Sequence, residues 1–345
     1  MTPALLVLLC PALAGAGVEV VRDGPVPVER GQIHVADDRV EVDLGALLGV
    51  EIRAGQGAGL ALPHARLRVE ALVDTMVPVG MRLELEASPL ADAGDNLNGP
   101  GMLRDAFLRL GVGNRKVLDL GEVSLGQQRV PSSIESLRPP EHWRFTRRPL
   151  VEERALPGRD LGFVYHVNYA VHGWPLAAWV SSFAGAGPNR IDPSAAPLVA
   201  MRVELNPVHP AVSGWLDLRT GLGVVSQASD PDLPLLVLAD ASARAHRFSV
   251  EAQVVVADAP GAELFERGAL RAEIGVEVLP DFWTLALRHE SWALDAGPLR
   301  HRMTVGSITT YLDDAFQVLA DLSWPLGMGW GAEGPQLSLA FRIWW

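Results

Sequence analysis

The densest group of side chains able to do chemistry lies between residues 129 and 159. Arg129, Arg138, Arg144, Arg147, Arg148, Arg154 and Arg159 stand there against Glu135, Glu141, Glu152 and Glu153. A guanidinium is planar, permanently charged and able to grip a carboxylate or phosphate through two parallel hydrogen bonds, so this locally basic island would attract anions. For any one arginine, pairing with an acid that pins the segment is the commoner role. Other motifs carry less. GEVSLG at 121–126 has the wrong spacing for a nucleophile elbow, and GQGAG at 55–59 is not a nucleotide loop. His289 and Glu290 are adjacent on a strand pattern and so face opposite sides, which is poor geometry for a shared metal. His301, between Arg300 and Arg302, reads as a strand-end interface residue. The expectation is therefore a protein that filters solutes, with no catalytic site, no metal and no cofactor.

The composition narrows the setting. The chain has 345 residues, 48% of them hydrophobic, and a net charge of −12; its mean hydropathy is +0.17. Disorder is excluded by the apolar fraction. General nucleic-acid binding needs a basic footprint that an acidic chain with one lysine, Lys116, does not provide. A membrane-crossing helix needs roughly 20 apolar residues in a row, and no uninterrupted apolar run past residue 21 is longer than Leu235–Ala239.

Residues 1–16, MTPALLVLLCPALAGA, read as a signal peptide: an apolar core from Ala4 to Leu9, then Pro11, then Ala14 and Ala16 spaced as in a cleavage site. The charged leading region is missing apart from the amino terminus. Cys10, the only cysteine, lies inside this segment and follows Leu9, where a lipid-anchored protein would want a small residue. The exported chain would thus hold no disulfide, which suits the bacterial periplasm or outer membrane. Residues 17–38 lead into the main domain, which spans 39–345.

From residue 39 onward the pattern has period 2. Leu67, Val69, Ala71 and Val73 alternate with Arg66, Arg68, Glu70 and Asp74; Val250, Ala252 and Val254 interleave with Glu251 and Gln253. Such alternation puts apolar residues on one sheet face and polar residues on the other. The segments are 39–55, 65–74, 78–88, 103–111, 115–127, 159–169, 174–184, 197–206, 215–227, 234–243, 246–257, 268–279, 281–292, 299–311, 314–325 and 335–345, about 16 strands. A soluble sandwich would show similar alternation, but its strands average about 5 to 6 residues against roughly 9 to 11 for strands that cross a membrane. Aromatics near segment ends, such as Trp283, Trp292, Tyr311 and Trp324, suggest girdles at the two interfaces. The C-terminus, with Leu337, Leu339, Phe341, Ile343 and Trp345 alternating, is the ending expected of a strand recognised by barrel assembly machinery, with Phe341 and Trp345 as its signal. The expected fold is all-β, a transmembrane antiparallel β-barrel with an inward-folded long loop.

The chain resembles the phosphate-selective porin O and P family of bacterial outer membranes in ARLRVEA (65–71), LRDAFLRL (103–110), GQQRVPSSIESL (126–137), RRPLVEERALPGRDLGF (147–163), RGALRAEIGV (267–276) and VGSITTYLDD (305–314), in that order. The resemblance implies a 16-stranded barrel, usually a homotrimer, whose third long loop narrows the channel; here that loop is 130–159. It departs from the family in having only Lys116 where phosphate-selective members carry a lysine cluster. Phosphate selectivity is therefore not carried over. A connection this long is usually functional, and its Ile134, Leu137, Trp143, Phe145, Leu150 and Val151 could pack it against a wall. Inward-facing wall arginines read from the alternation include Arg66, Arg68, Arg82, Arg202, Arg271 and Arg302. The expected function is a water-filled diffusion channel in the outer membrane for small hydrophilic solutes, with a mild anion preference near the loop. The competing readings are a secreted or periplasmic β-sandwich adhesin and an outer-membrane barrel enzyme.

Overall fold

The computed structural model describes residues 32–37, 40–54, 59–73, 79–86, 102–114, 118–138, 144–146, 148–149, 152, 156–171, 174–187, 197–206, 216–227, 235–258, 267–293, 300–311, 316–326 and 334–344. The proposed signal peptide, Cys10, Lys116 and Trp345 lie outside them. Among the described residues there are seventeen strands: β1 (Gln32–Asp37), β2 (Val40–Ala54), β3 (Gly59–Val73), β4 (Val79–Glu86), β5 (Met102–Asn114), β6 (Leu118–Arg129), β7 (Arg159–Val171), β8 (Trp174–Phe183), β9 (Leu198–Leu205), β10 (Leu216–Gln227), β11 (Leu235–Ala245), β12 (Phe248–Asp258), β13 (Arg267–Leu279), β14 (Trp283–Ala293), β15 (Arg300–Tyr311), β16 (Phe316–Leu326) and β17 (Gln336–Trp344).

Strands β2 to β17 correspond one for one to the segments expected from the alternation. Each pairs antiparallel with its chain neighbours, and β17 pairs back onto β2 from Leu337↔Ala54 to Trp344↔Leu47, closing the barrel. The addition is β1, inside the stretch read from sequence as a lead-in. It pairs with Val40–Gly45, the part of β2 beyond the end of β17, so β1 and β17 share one edge of β2 end to end. In a hydrocarbon environment an unpaired strand edge has no water to satisfy its N–H and C=O groups, and β1 removes that edge. Among the described residues no helix is long and apolar enough to cross a membrane.

Burial decides between barrel and sandwich. Met201 is 51% exposed, Arg202 1% and Val203 47%; Arg271 and Glu273 are buried while Leu270 and Ile274, which flank them, are exposed. A soluble sandwich would bury the aliphatics and expose the charges. Here apolar residues face outward, as a lipid-facing wall requires, and the polar face is the enclosed one.

The two ends differ. At one end, tight turns join β11 to β12 and β13 to β14, each with a residue in the left-handed region, His246 (φ 50°) and Asp281 (φ 56°). Around that rim Phe282, Tyr311, Phe316 and Phe341 contact one another in series at ring-centroid distances of 5.2, 5.8 and 6.5 Å, an aromatic belt of the kind that sits at a membrane interface. Trp283 joins it from the outer face, donating to Ser307 Oγ at 3.0 Å. Trp292 does not. Its even register on β14 turns it inward, where it is buried in an apolar cluster under the long connection.

Candidate pore constriction and lumen

The described residues of the connection between β6 and β7, 130–138, 144–146, 148–149, 152 and 156–158, lie inside the barrel. The stems of the connection are tied by Val130 N–H donating to Gly158 O at 3.1 Å. Val130 and Leu156 pack into an apolar cluster with Phe183, Leu198, Leu238 and Trp292 from the inner wall. Next comes a single helical turn, α1 (Ile134–Leu137), with Ser133 as N-cap. Ser133 Oγ accepts from Ser136 N–H while Ser136 Oγ accepts from Ser133 N–H, each at 2.9 Å, a reciprocal cap that satisfies donors the short helix leaves open.

The wall holds the described residues of this loop at several points. Asp240 Oδ2 accepts from Ile134 N–H at 3.1 Å and is gripped bidentately by Arg202 at 2.7 and 2.9 Å. Asp321 Oδ2 accepts from Thr146 N–H at 2.5 Å and from its hydroxyl at 2.7 Å. Arg342 donates to Phe145 O at 2.8 Å, and the Arg288 guanidinium lies 4.2 Å from the Phe145 ring centroid. On the return, Glu152 accepts from Ser133 Oγ at 2.5 Å and from Gln253 at 2.8 Å. Inward glycines make the seat. A Cβ on Gly223 would stand 2.4 Å from Ser132 O, and one on Gly306 would stand 2.8 Å from the Phe145 ring. The loop thus crosses from β6 to the far wall, β9 through β17.

The arginines of the sequence reading separate accordingly. Arg138 donates to Glu251 at 2.7 and 3.1 Å and to Glu135 at 2.9 Å; burial works against its charge, but Glu135 and Glu251 hold its pKa above the usual arginine value. Arg144 bridges Glu251 and Glu273 at 3.6 and 3.3 Å. Arg129 donates to the carbonyls of Ser136 and Arg138 at 3.3 and 2.6 Å. Arg159 pairs with Asp105 at 2.7 Å. Arg148 is half-buried; burial, then the nearby Arg159, push its pKa below the usual value. Arg147 and Arg154 lie outside the described residues. On the wall, Arg202 and Arg271 are buried under the loop, Arg271 reaching Glu251, Glu273 and Glu135 at 2.7, 2.9 and 3.5 Å. Arg302 is half-buried on the inner face of β15.

The opposite wall, β3 to β8, stays open. A cavity of about 250 Å³ lies there, lined by Arg68, Arg82, Arg109 and Glu122 on the wall and by Arg129, Pro131 and Leu137 at the loop. The charges of this wall form a zigzag across the strands. Glu84 meets Arg66 at 3.4 Å and Arg82 at 3.0 Å; Glu70 meets Arg82 at 3.8 Å and Arg109 at 3.6 Å; Glu122 meets Arg109 at 3.5 Å. Close to the loop the members are buried, whereas Glu70, Arg109 and Glu122 have about a third of their side-chain surface exposed.

Several of the residues that seat the loop were not singled out from the sequence: Asp240, Asp321, Arg342, Gly223 and Gly306. The signal was present in their register. Asp240 shares an inner face with Leu236 and Leu238, and Asp321 shares one with Leu319. A lone acid on an enclosed, partly apolar face must meet a donor.

No family model matches the chain, and no curated sequence matches it, so the likeness to phosphate-selective porins rests on the motifs quoted above. Solved structures do share the fold. A form of OmpT, an outer membrane protein of Vibrio cholerae, lacking loop L8 is 12% identical, with a TM-score of 0.62 over 89% of this chain and 100% of that one. OmpT in its trimer form is 13% identical with a TM-score of 0.59 over the same shares. The anion-selective porin from Comamonas acidovorans is 15% identical with a TM-score of 0.59, again over 89% and 100%. At these identities the likeness is one of fold: a porin-type outer-membrane barrel.

Proposed function

We propose that this chain is an outer-membrane porin, a water-filled channel through which small hydrophilic solutes diffuse, with residues 130–158 as the constriction. The observation that carries it is the inverted wall, apolar outside and charged inside, together with a loop fastened to the inner wall of β9 to β17 and a charged cavity left along β3 to β8. Selection would be by size and by the ring of charges at the narrowest point. Arginines exceed acids in the lining of that cavity, Arg68, Arg82, Arg109 and Arg129 against Asp105 and Glu122. That excess supports a mild anion preference, as in the anion-selective neighbour, without a lysine cluster to select phosphate. We extend to this chain the trimer seen for OmpT, export by residues 1–16, and recognition of the terminal strand by barrel assembly machinery. This reading gives the chain no enzymatic role.

The test is reconstitution of the full chain in a planar bilayer. Stepwise conductance increments in KCl and a reversal potential on the anion side under a salt gradient are the expected results. A strongly cation-selective pore would refute the arginine-lined passage. Absence of any conductance, with no heat-dependent gel shift, would refute the channel itself.

A further inference from the structure

We infer that the open lumen contains a subsite for planar aromatic carboxylates, where His166 and Trp179 stack beside the loosely paired Arg109. This deepens the channel reading and rests on it. The rings of His166 and Trp179, opposite each other on β7 and β8, are 4.7 Å apart between centroids and 10° from parallel. Both line the cavity, with Phe107, over whose ring the Arg109 guanidinium sits at 5.5 Å. Glu122 joins the two halves: its Oε1 lies 3.5 Å from Arg109 Nε and 3.4 Å from His166 Nδ1. The other ring nitrogen of His166 lies 3.1 Å from Asn168 Oδ1, which fixes the plane of the stack.

Three features together specify the ligand. The flat π surface selects a ring over an aliphatic chain, since aromatic pairs gain beyond the area they bury. The arginines select an anion, and their planar forks suit a carboxylate. Pairing at this point is weak: Arg109 meets Glu70 and Glu122 only at 3.6 and 3.5 Å, with all three side chains about one-third exposed. Such solvated pairs contribute little, so a solute carboxylate can take the place of Glu122 at Arg109 and lay its ring against the stacked pair of His166 and Trp179. Near the loop that exchange is closed, because Arg159 and Asp105 are buried and meet at 2.7 Å. A solute ring would pass under Pro131 and Leu137, which form the opposite side of the cavity.

The experiment measures open-channel KCl current through the reconstituted full chain while benzoate, cyclohexanecarboxylate or acetate is added. Benzoate is expected to block in a saturable way at concentrations where the other two do not. In Trp179→Ala the half-blocking concentration should rise about three- to tenfold, the worth of an aromatic pair. Trp179 also packs against the apolar cluster, so Trp179→Leu carries the same expectation with the packing volume retained, and a heat-shifted gel band marks each variant as folded. Equal block by cyclohexanecarboxylate would reduce the effect to size and overturn the subsite, as would block unchanged in both Trp179 variants. A chain that conducts KCl but ignores benzoate refutes the subsite alone, whereas a chain that conducts nothing refutes the channel reading on which it stands.

Discussion

Glu251 and Glu273 stand directly opposite each other on β12 and β13, both buried on the lumen face. Like charges in that relation repel across about 5 Å. Arg271 supplies one compensating charge from the wall, and Arg138 and Arg144 supply the others from the loop. The wall's charge pattern therefore favours a loop folded inward: without it, two buried carboxylates would share one guanidinium.

Arg138→Ala removes the tighter of those loop contacts. Breaking a buried pair so that one charge is left uncompensated costs about 3–5 kcal/mol; with Arg271 and Arg144 still beside Glu251 the loss should be smaller than that. The expected outcome is a lower unfolding temperature of the barrel and a larger single-channel conductance as the loop lifts. Adding Glu251→Ala should recover part of the lost stability, and a double-mutant cycle on the thermal gel shift measures the coupling.

Gly223→Val tests the seat. The new Cβ would meet the Ser132 carbonyl, a backbone atom with little room to yield, at 2.4 Å. Overpacking of this sort costs about 1–3 kcal/mol. Protease cleavage within 130–158 of the folded protein should become faster than in the parent, with no change in the barrel's β content by circular dichroism.

Glu152 gives the loop a pH dependence. Its burial pushes the carboxyl pKa above the usual range, with the Ser133 and Gln253 hydrogen bonds opposing. A pKa raised in the folded state means that the protonated form is favoured by docking. Its contribution is fully present below the ordinary carboxylate pKa and is lost as pH rises through the raised value. Relative to the parent, Glu152→Gln should therefore gain stability as the pH rises from acid to neutral, read as the difference in thermal gel-shift temperature between the two proteins. An identical difference at every pH would contradict this.

Arg109→Ala should do the reverse of Arg138→Ala. Its ion pairs are long and solvated, so stability should fall by about 0.5 kcal/mol or less, while the reversal potential moves toward cations. A stability loss as large as that of Arg138→Ala would mean that Arg109 is structural.

Leu222→Arg addresses the outer wall. Leu222, within β10, is 65% exposed on the outward face. An arginine facing lipid near the bilayer midplane costs about 2–4 kcal/mol. Folding yield in lipid vesicles should drop, whereas Arg219→Leu, on the inner face of the same strand, should not lower it.

Much of the barrel was legible in the chain. Period-2 alternation located β2 to β17, because side-chain direction in a strand follows from local geometry. The polar register also placed Arg66, Arg68, Arg82, Arg202 and Arg271 on one face. What alternation cannot say is whether that face is turned outward or encloses the interior; only closure of β17 onto β2, and the burial it produces, decides this. The short β1 was missed because QIHVAD is too brief to stand out by pattern, and its reason for forming is an unpaired stretch of β2 that exists only in the closed sheet.

The sequence by itself also determined that residues 129–159 are rich in guanidinium groups and long enough to reach inward. Which of those groups face solute and which hold the loop was decided by partners more than 100 residues away, such as Glu251 for Arg138 and Glu273 for Arg144. The same holds for the stack of His166 on Trp179, two residues unremarkable in the chain that are brought level by the register of β7 and β8. Alternation is a property of neighbours along the backbone, whereas an ion pair or a ring stack depends on how strands are ordered around the barrel, and that order exists only once the sheet has closed.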